Sequence, residues 1–517
     1  MKRIDKLFDH ILKNKKTYVI CATISIPLIV VLVVTSLSFY TTPLSYDEAY
    51  NLQVPVNLSK TGEYATNGGI FDGHTKVFDP YISTGPTLLL PIAAMFKLFS
   101  VDVWQFRIVM NVIYILFCVL AIWVVMKASR NKSFTTPEKF LYGVFATCLS
   151  IAILGNSIPD NNSFFFVAAQ GEPLVLALLL TSVLLLQYRK NKSASLAIGL
   201  AILTKQLAIL VMPFFLLYAF TKHKGSLLRK TIFTLYMAAI ALAPTVLFEV
   251  YRFAALGFNA KNYQQSLDEY GKFFMMAGGD PSNPSSPLAT IKERIFSLSS
   301  IDLSPYNITS IIIILFIIFA IYCFIKLVKS SVKIKINRKQ IDKLNVPYIY
   351  IVGALITWCG WWLIMSSSPR ARYIIIPIAL SIIIGATLLY SYVGKYRKVI
   401  NYLLLGIVVL ACVVVLKYNG APNGLDGQRR LSTEIVSEYN TRPIQHFGWW
   451  QNPDVQFFTH TTSIPYGSIN DRVTEAWVLM SDLQHRLAPE QYTRDISQCN
   501  TVLTYNYYKI CKINIAP

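Results

Sequence analysis

The chain has 517 residues, 54% of them hydrophobic, with a mean hydropathy of +0.46 and a net charge of +21. In a soluble protein that charge would point to nucleic acid, but here the apolar residues form runs of about 20 with Lys and Arg gathered between them. The charge therefore reports membrane topology and contact with anionic lipid, not nucleic acid, and the lack of a phosphate-binding Gly-rich loop argues against an ATP-driven pump.

The N-terminal segment carries Lys2, Arg3, Lys6, Lys13, Lys15 and Lys16. The apolar run at 17–39 is too long for a signal-peptide core, so it reads as an uncleaved first span with a cytoplasmic N-terminus. Basic segments at 1–16, 127–139, 189–192, 221–230, 329–345 and 392–398 are assigned to the cytoplasm. The first outer loop then holds Asp47-Glu48 and runs to Ser83. The next apolar stretch, Leu88–Phe99, is shorter than the roughly 20 residues a crossing needs, and a crossing there would invert the basic flank that follows. It is expected to lie in the outer interface as a juxtamembrane helix.

Spans follow at 104–126, 139–158 and 170–188. The stretch Ser195–Phe220 has basic flanks on both sides and Thr204-Lys205-Gln206 at its middle. A hairpin of two short helices broken near Lys205 reconciles the two flanks; one tilted span is the alternative. Further spans are expected at 231–251, 306–328, 346–366, 371–391 and 399–416, about eleven in all. The fold class is an all-α polytopic membrane domain over 1–417, followed by a small α+β extracytoplasmic domain over 418–517. In that domain 471–487 looks helical and 501–510 has strand composition. Residues 252–305 read as an irregular mobile lid, because Gly278-Gly279-Asp280-Pro281-Ser282-Asn283-Pro284 favours no regular element. Cys499 and Cys511 fall outside the spans, and an oxidising compartment would favour a disulfide between them.

Several residues carry chemistry beside a duller reading. Asp47 and Glu48 could be solvated loop acids, and Asp47 could cap a helix; as a catalytic pair, Asp47 would be a general base toward an acceptor hydroxyl. Glu172 sits where a helix N-terminus favours an acid, or faces the Asp47 cavity and shares a divalent cation (Mg or Mn) with it. Lys205, in the middle of an apolar stretch, either snorkels or meets a lipid-linked phosphate. Arg370 and Arg372 oppose the positive-inside trend and suit a phosphate, with Tyr373 beside them; headgroup anchoring is the plain alternative. His74, Lys76 and Asp79 are loop surface or substrate contacts, and Arg107 can pair with an acid of the first loop.

The order of these motifs resembles the GT-C superfamily of polyprenyl-phosphate-sugar-dependent glycosyltransferases, in its branch with protein O-mannosyltransferases and lipid A aminoarabinose transferases. The resemblance rests on the outer Asp47-Glu48, Phe78-Asp79-Pro80-Tyr81-Ile82-Ser83-Thr84-Gly85-Pro86, Arg107, Gly171-Glu172, Leu203-Thr204-Lys205 and Arg372-Tyr373-Ile374, and spans about residues 15–400. It implies that Asp47 is catalytic, that Glu172 lies near the site, and that a juxtamembrane helix follows the first loop. Aminoarabinose transferases carry an acidic-basic pair just before the proline of that helix; here Thr84-Gly85 stands instead, so that phosphate contact and metal ligand are missing. The expected activity is inverting transfer of a sugar from a polyprenyl-phosphate carrier to a hydroxyl of a glycan, lipid or protein on the outer side, with a bacterial inner membrane as the expected location. The alternatives are a lipid-linked saccharide flippase or transporter, which would favour internal repeats and midplane charges, and an oligosaccharyltransferase or ligase.

Overall fold

The first apolar run folds as α1 (Lys15–Phe39) and is mostly exposed along its length, as a helix facing lipid would be. In the computed structural model the described residues are 15–67, 75–128, 134–155, 166–276 apart from 224, 353–364, 375–392 and 396–418. Short pieces follow, chiefly strands between 446 and 514. Ser45 starts α2 (Tyr46–Lys60) with a capping box: its hydroxyl accepts from the Glu48 N–H, and the Glu48 carboxylate accepts from the Ser45 N–H. Two short strands, β1 (Ala65–Thr66) and β2 (Lys76–Val77), pair antiparallel in the loop that follows.

Gly85 and Pro86 open α3 (Pro86–Phe99), the expected juxtamembrane helix. The proline needs no N–H partner there, and the 14 residues reach only about 21 Å, too short to cross. Next come α4 (Val103–Ala128), α5 (Thr136–Gly155), α6 (Glu172–Gln187) and α7 (Asn191–Thr204). At Lys205 the backbone turns extended, a 3-10 segment covers Gln206–Val211, and α8 (Met212–Lys222) leads away. The break falls where the charge flanks require it.

The helix α9 (Leu227–Ala255) has 29 residues, and α10 (Ala260–Met276) follows after a short turn. This corrects the expectation of an irregular lid in its first part. Residues 260–276 space their aromatic residues to meet Arg252, and that contact sustains a helix; the Gly/Pro/Ser cluster lies outside the described residues. A single π-turn at Ala354–Cys359 leads into α11 (Gly360–Ile364). Beyond it lie α12 (Ile375–Tyr392) and α13 (Arg397–Tyr418). The expected span at 306–328 lies outside the described residues. Five of the described helices are long and apolar enough to cross a membrane, and four more apolar helices are shorter. Their core joins α4, α5, α6, α12 and α13 around Phe106, Tyr114, Phe117 and Phe166.

The tail holds β3 (His446–Gly448), β4 (Ser463–Pro465), β5 (Glu475–Ser481), β6 (Cys499–Tyr505) and β7 (Tyr508–Asn514), in the order β4-β3-β5-β7-β6. Within the expected helix at 471–487, residues 475–481 form strand β5, whose Ala-Trp-Val-Leu-Met run pairs with β7 along its length. The expected strand at 501–510 is present as parts of β6 and β7. Their register sets Cys499 opposite Ile513 and Cys511 opposite Val502, so the two cysteines are not cross-strand partners.

Candidate active site

The carboxylate dipeptide divides its labour. Glu48 is fully buried and forms a two-pronged pair with Arg107 of α4, Nη1 to Oε1 at 2.7 Å and Nη2 to Oε2 at 3.2 Å. Arg107 also donates to the carbonyls of Val167 (2.6 Å) and Thr42 (3.3 Å), and Glu48 accepts from the Ala169 N–H at 3.1 Å. Burial pushes the Glu48 carboxyl up, and Arg107 with the Ala169 and Ser45 N–H groups pulls it back. Glu48 is therefore an anchor, not a reacting group, which corrects its assignment to a catalytic pair. It ties the start of α2 to α4 and to the 166–172 segment. Asp47, the preceding residue, is half-buried at the second position of α2, about 100° around the helix from Glu48.

The rest of α2 is tied down as closely. The Asn51 amide donates to Thr84 Oγ1 and to the Ala169 carbonyl, both at 3.1 Å. The ring of Tyr50 stacks parallel to that of Tyr46, and its hydroxyl donates to Asp79. Asp79 also accepts from Thr66 Oγ1 at 2.8 Å and from the Tyr81 N–H at 3.0 Å. Burial pushes the Asp79 carboxyl up, against the pull of those three donors. Asp79 thus fixes the first loop on α2 and is no surface acid.

A second polar group lies beside the 166–172 segment. Glu172 pairs with Lys205 through Oε1, and Lys205 Nζ also donates to the Gln170 carbonyl at 3.3 Å. Gly171, at φ +86°, makes the turn into α6 that brings Glu172 to Lys205, at the break after α7. Gly85 donates its N–H to Thr204 O at 2.7 Å, and a Cβ there would stand 1.7 Å from Leu203 O. The Gly85→Ala variant is expected to fail to accumulate as folded protein, since backbone would have to move; yield of monodisperse protein in detergent checks it.

Among curated proteins nothing matches the chain. Residues 84–326, a little under half of it, match the family model described as Glycosyltransferase family 87. Two structures of ArnT from Cupriavidus metallidurans share the architecture almost end to end. The structure bound to undecaprenyl phosphate is 13% identical, with a TM-score of 0.52 over 96% of this chain and 98% of that one. The apo structure is 14% identical, with a TM-score of 0.54 over 95% and 98%. The chain therefore has the fold of these two structures.

Within this fold the sequence-derived residues scatter in instructive ways. Glu48 and Asn51 of α2, the helix that carries Asp47, bond to Ala169, and Lys205 bonds to Gln170 and Glu172, so the 166–172 segment lies between α2 and Lys205. Lys76 pairs with Glu269 of α10 at 2.9 Å, which makes it a tie between loop and helix. His74, Arg370, Arg372 and Tyr373 lie outside the described residues. Arg107 meets the first-loop acid foreseen for it. Sequence reasoning missed Asn51, whose only signal was an amide inside a helix of buried residues. It also missed Arg252, a cation at the end of the apolar α9 that is buried against Phe78, Tyr263 and Tyr270 and donates to the Ser266 carbonyl at 3.0 Å.

Proposed function

We propose that the chain moves a sugar from a polyprenyl-phosphate carrier to an acceptor hydroxyl on the extracytoplasmic side, with Asp47 as the general base. The observation that carries this reading is the division within the dipeptide. Arg107 and two backbone N–H groups hold Glu48 in place, so its neighbour keeps a fixed position at the start of α2. There an aspartate at the positive end of a helix is positioned as a general base toward an acceptor hydroxyl. As the hydroxyl attacks the anomeric carbon, its proton passes to Asp47 and the carrier phosphate leaves from the opposite face, which gives inversion. Arg372 with Arg370 and Tyr373 would receive the phosphate, and Lys205 lies on the Glu172 side of the same segment. The fold similarity to ArnT supports a lipid-borne donor.

The Lys205 ammonium pairs with one oxygen of Glu172, and the proposed reaction uses no cation shared between Glu172 and Asp47. Full transfer in EDTA is the expected result, and a loss restored by Mg or Mn would bring a cation into the scheme. An extracytoplasmic tail is supported by two contacts just beyond 418: Leu425 N–H donates to Thr41 O at 3.2 Å, and Arg429 pairs with Asp102.

Mass spectrometry of lipids, envelope glycans and exported proteins from a deletion strain tests the proposal. One missing glycosyl group is expected, restored by the purified chain in nanodiscs supplied with the polyprenyl-phosphate sugar. Donor turnover equal to that of empty nanodiscs would overturn it.

A further inference from the structure

The end of the bundle opposite Asp47 has its own chemistry. Helix α6 starts at Glu172 beside the candidate site and ends about 24 Å away, at Tyr188. Between Glu172 and Glu249 the sequence contains no Asp or Glu, while Arg189, Lys190, Lys192, Arg229 and Lys230 lie within it. These five, with Lys127 at the end of α4, form a band across α4, α6, α7 and α9.

The band is laid over aromatic rings. Lys127 Nζ stands 4.4 Å from the Tyr188 ring centre, Lys192 Nζ 5.3 Å from that of Tyr236, and Lys230 Nζ 5.6 Å from that of Phe220. The His223 ring stacks on Phe233 at 4.3 Å. Tyr188 and Tyr236 remain 42% and 45% exposed under their lysines, so each pair is open to a ligand from outside. Among the described residues none of the six cations is in an ion pair. Elsewhere on the chain cations do find acids: Arg397 is held by Glu138, and Arg429 by Asp102. A lysine stem lying on an aromatic ring at the end of an apolar helix places its ammonium at headgroup depth.

We propose that this band binds the headgroups of anionic phospholipids in the leaflet opposite the catalytic end. Phosphodiester oxygens would accept hydrogen bonds from the ammonium and guanidinium groups, which pair with no acid among the described residues, and the acyl chains would lie against the exposed apolar flank of α9, which includes Leu228, Ile232 and Leu235.

The full chain is placed in phosphatidylcholine nanodiscs containing a minor fraction of phosphatidylglycerol, and the lipids that stay bound after activation are counted by native mass spectrometry. Phosphatidylglycerol should be retained over phosphatidylcholine. Retention should fall about fivefold per lysine removed along Lys127→Gln, Lys190→Gln, Lys192→Gln and Lys230→Gln, measured singly so that folding is preserved. The matching Lys→Arg series should retain the lipid as the wild type does. Equal retention of both lipids, unchanged retention in the Gln series, or full displacement by inorganic phosphate at constant ionic strength overturns the proposal.

Discussion

Asp47→Asn is expected to reduce sugar transfer by about 10²- to 10⁴-fold, the usual weight of a positioned general base, while leaving the fold intact. The side chain keeps its shape and its place at the second position of α2, which Ser45 caps and Glu48 pins. Helix start, membrane insertion and thermal transition should therefore be those of the wild type. Initial rates with a labelled polyprenyl-phosphate sugar, alongside detergent melting curves, separate chemistry from folding. An Asn variant with wild-type turnover removes Asp47 from the reaction and leaves the GT-C fold assignment standing.

The opposite pattern is expected one residue along. Glu48→Gln leaves Arg107 with an unneutralised charge where the structure gives it no exposure, at a cost of about 3–5 kcal/mol. Arg107→Met strands the carboxylate at similar expense. Both single variants should melt well below the wild type or fail to accumulate. The double variant Glu48→Gln with Arg107→Met should recover part of the loss, because neither charge is then buried alone. A single variant as stable as the wild type would mean that the pair does not hold α2 to α4. Arg252→Ala should have a narrower effect: α10 loses its anchor to α9 and becomes open to limited proteolysis near 260–276, with the membrane part unchanged.

Charge flanks and run lengths made the membrane part legible, down to the break at Lys205, because the bilayer permits few backbone solutions and basic residues mark one side. The juxtamembrane helix followed from the same parity together with its length. The roles of individual acids were less legible. Asp47 and Glu48 have the same chemistry and adjacent places, and only the position of Arg107 on the neighbouring helix tells the anchor from the other. Glu172 read as a partner for a cation because Lys205, 33 residues on, gives no local sign that it folds back over α6. The segments 260–276 and 475–481 were misread for a common reason. Their regularity comes from partners outside the segment, Arg252 and Lys76 for the first and β7 for the second, and local composition does not carry such pairings.

The length of α9 has a consequence for the lipid that surrounds it. Twenty-nine residues rise about 43 Å, some 13 Å more than a typical hydrocarbon core. The surplus has to be absorbed by leaning or by emerging on one side. Since Arg252 sits on the last turn of α9 against the rings of Phe78 in the first loop and Tyr263 and Tyr270 on α10, any change of lean would shift that cluster, and through the Lys76–Glu269 pair it would pull on the two-stranded ribbon of the first loop. Acyl-chain length in the host bilayer thereby becomes a mechanical input to the carboxylate end of the molecule.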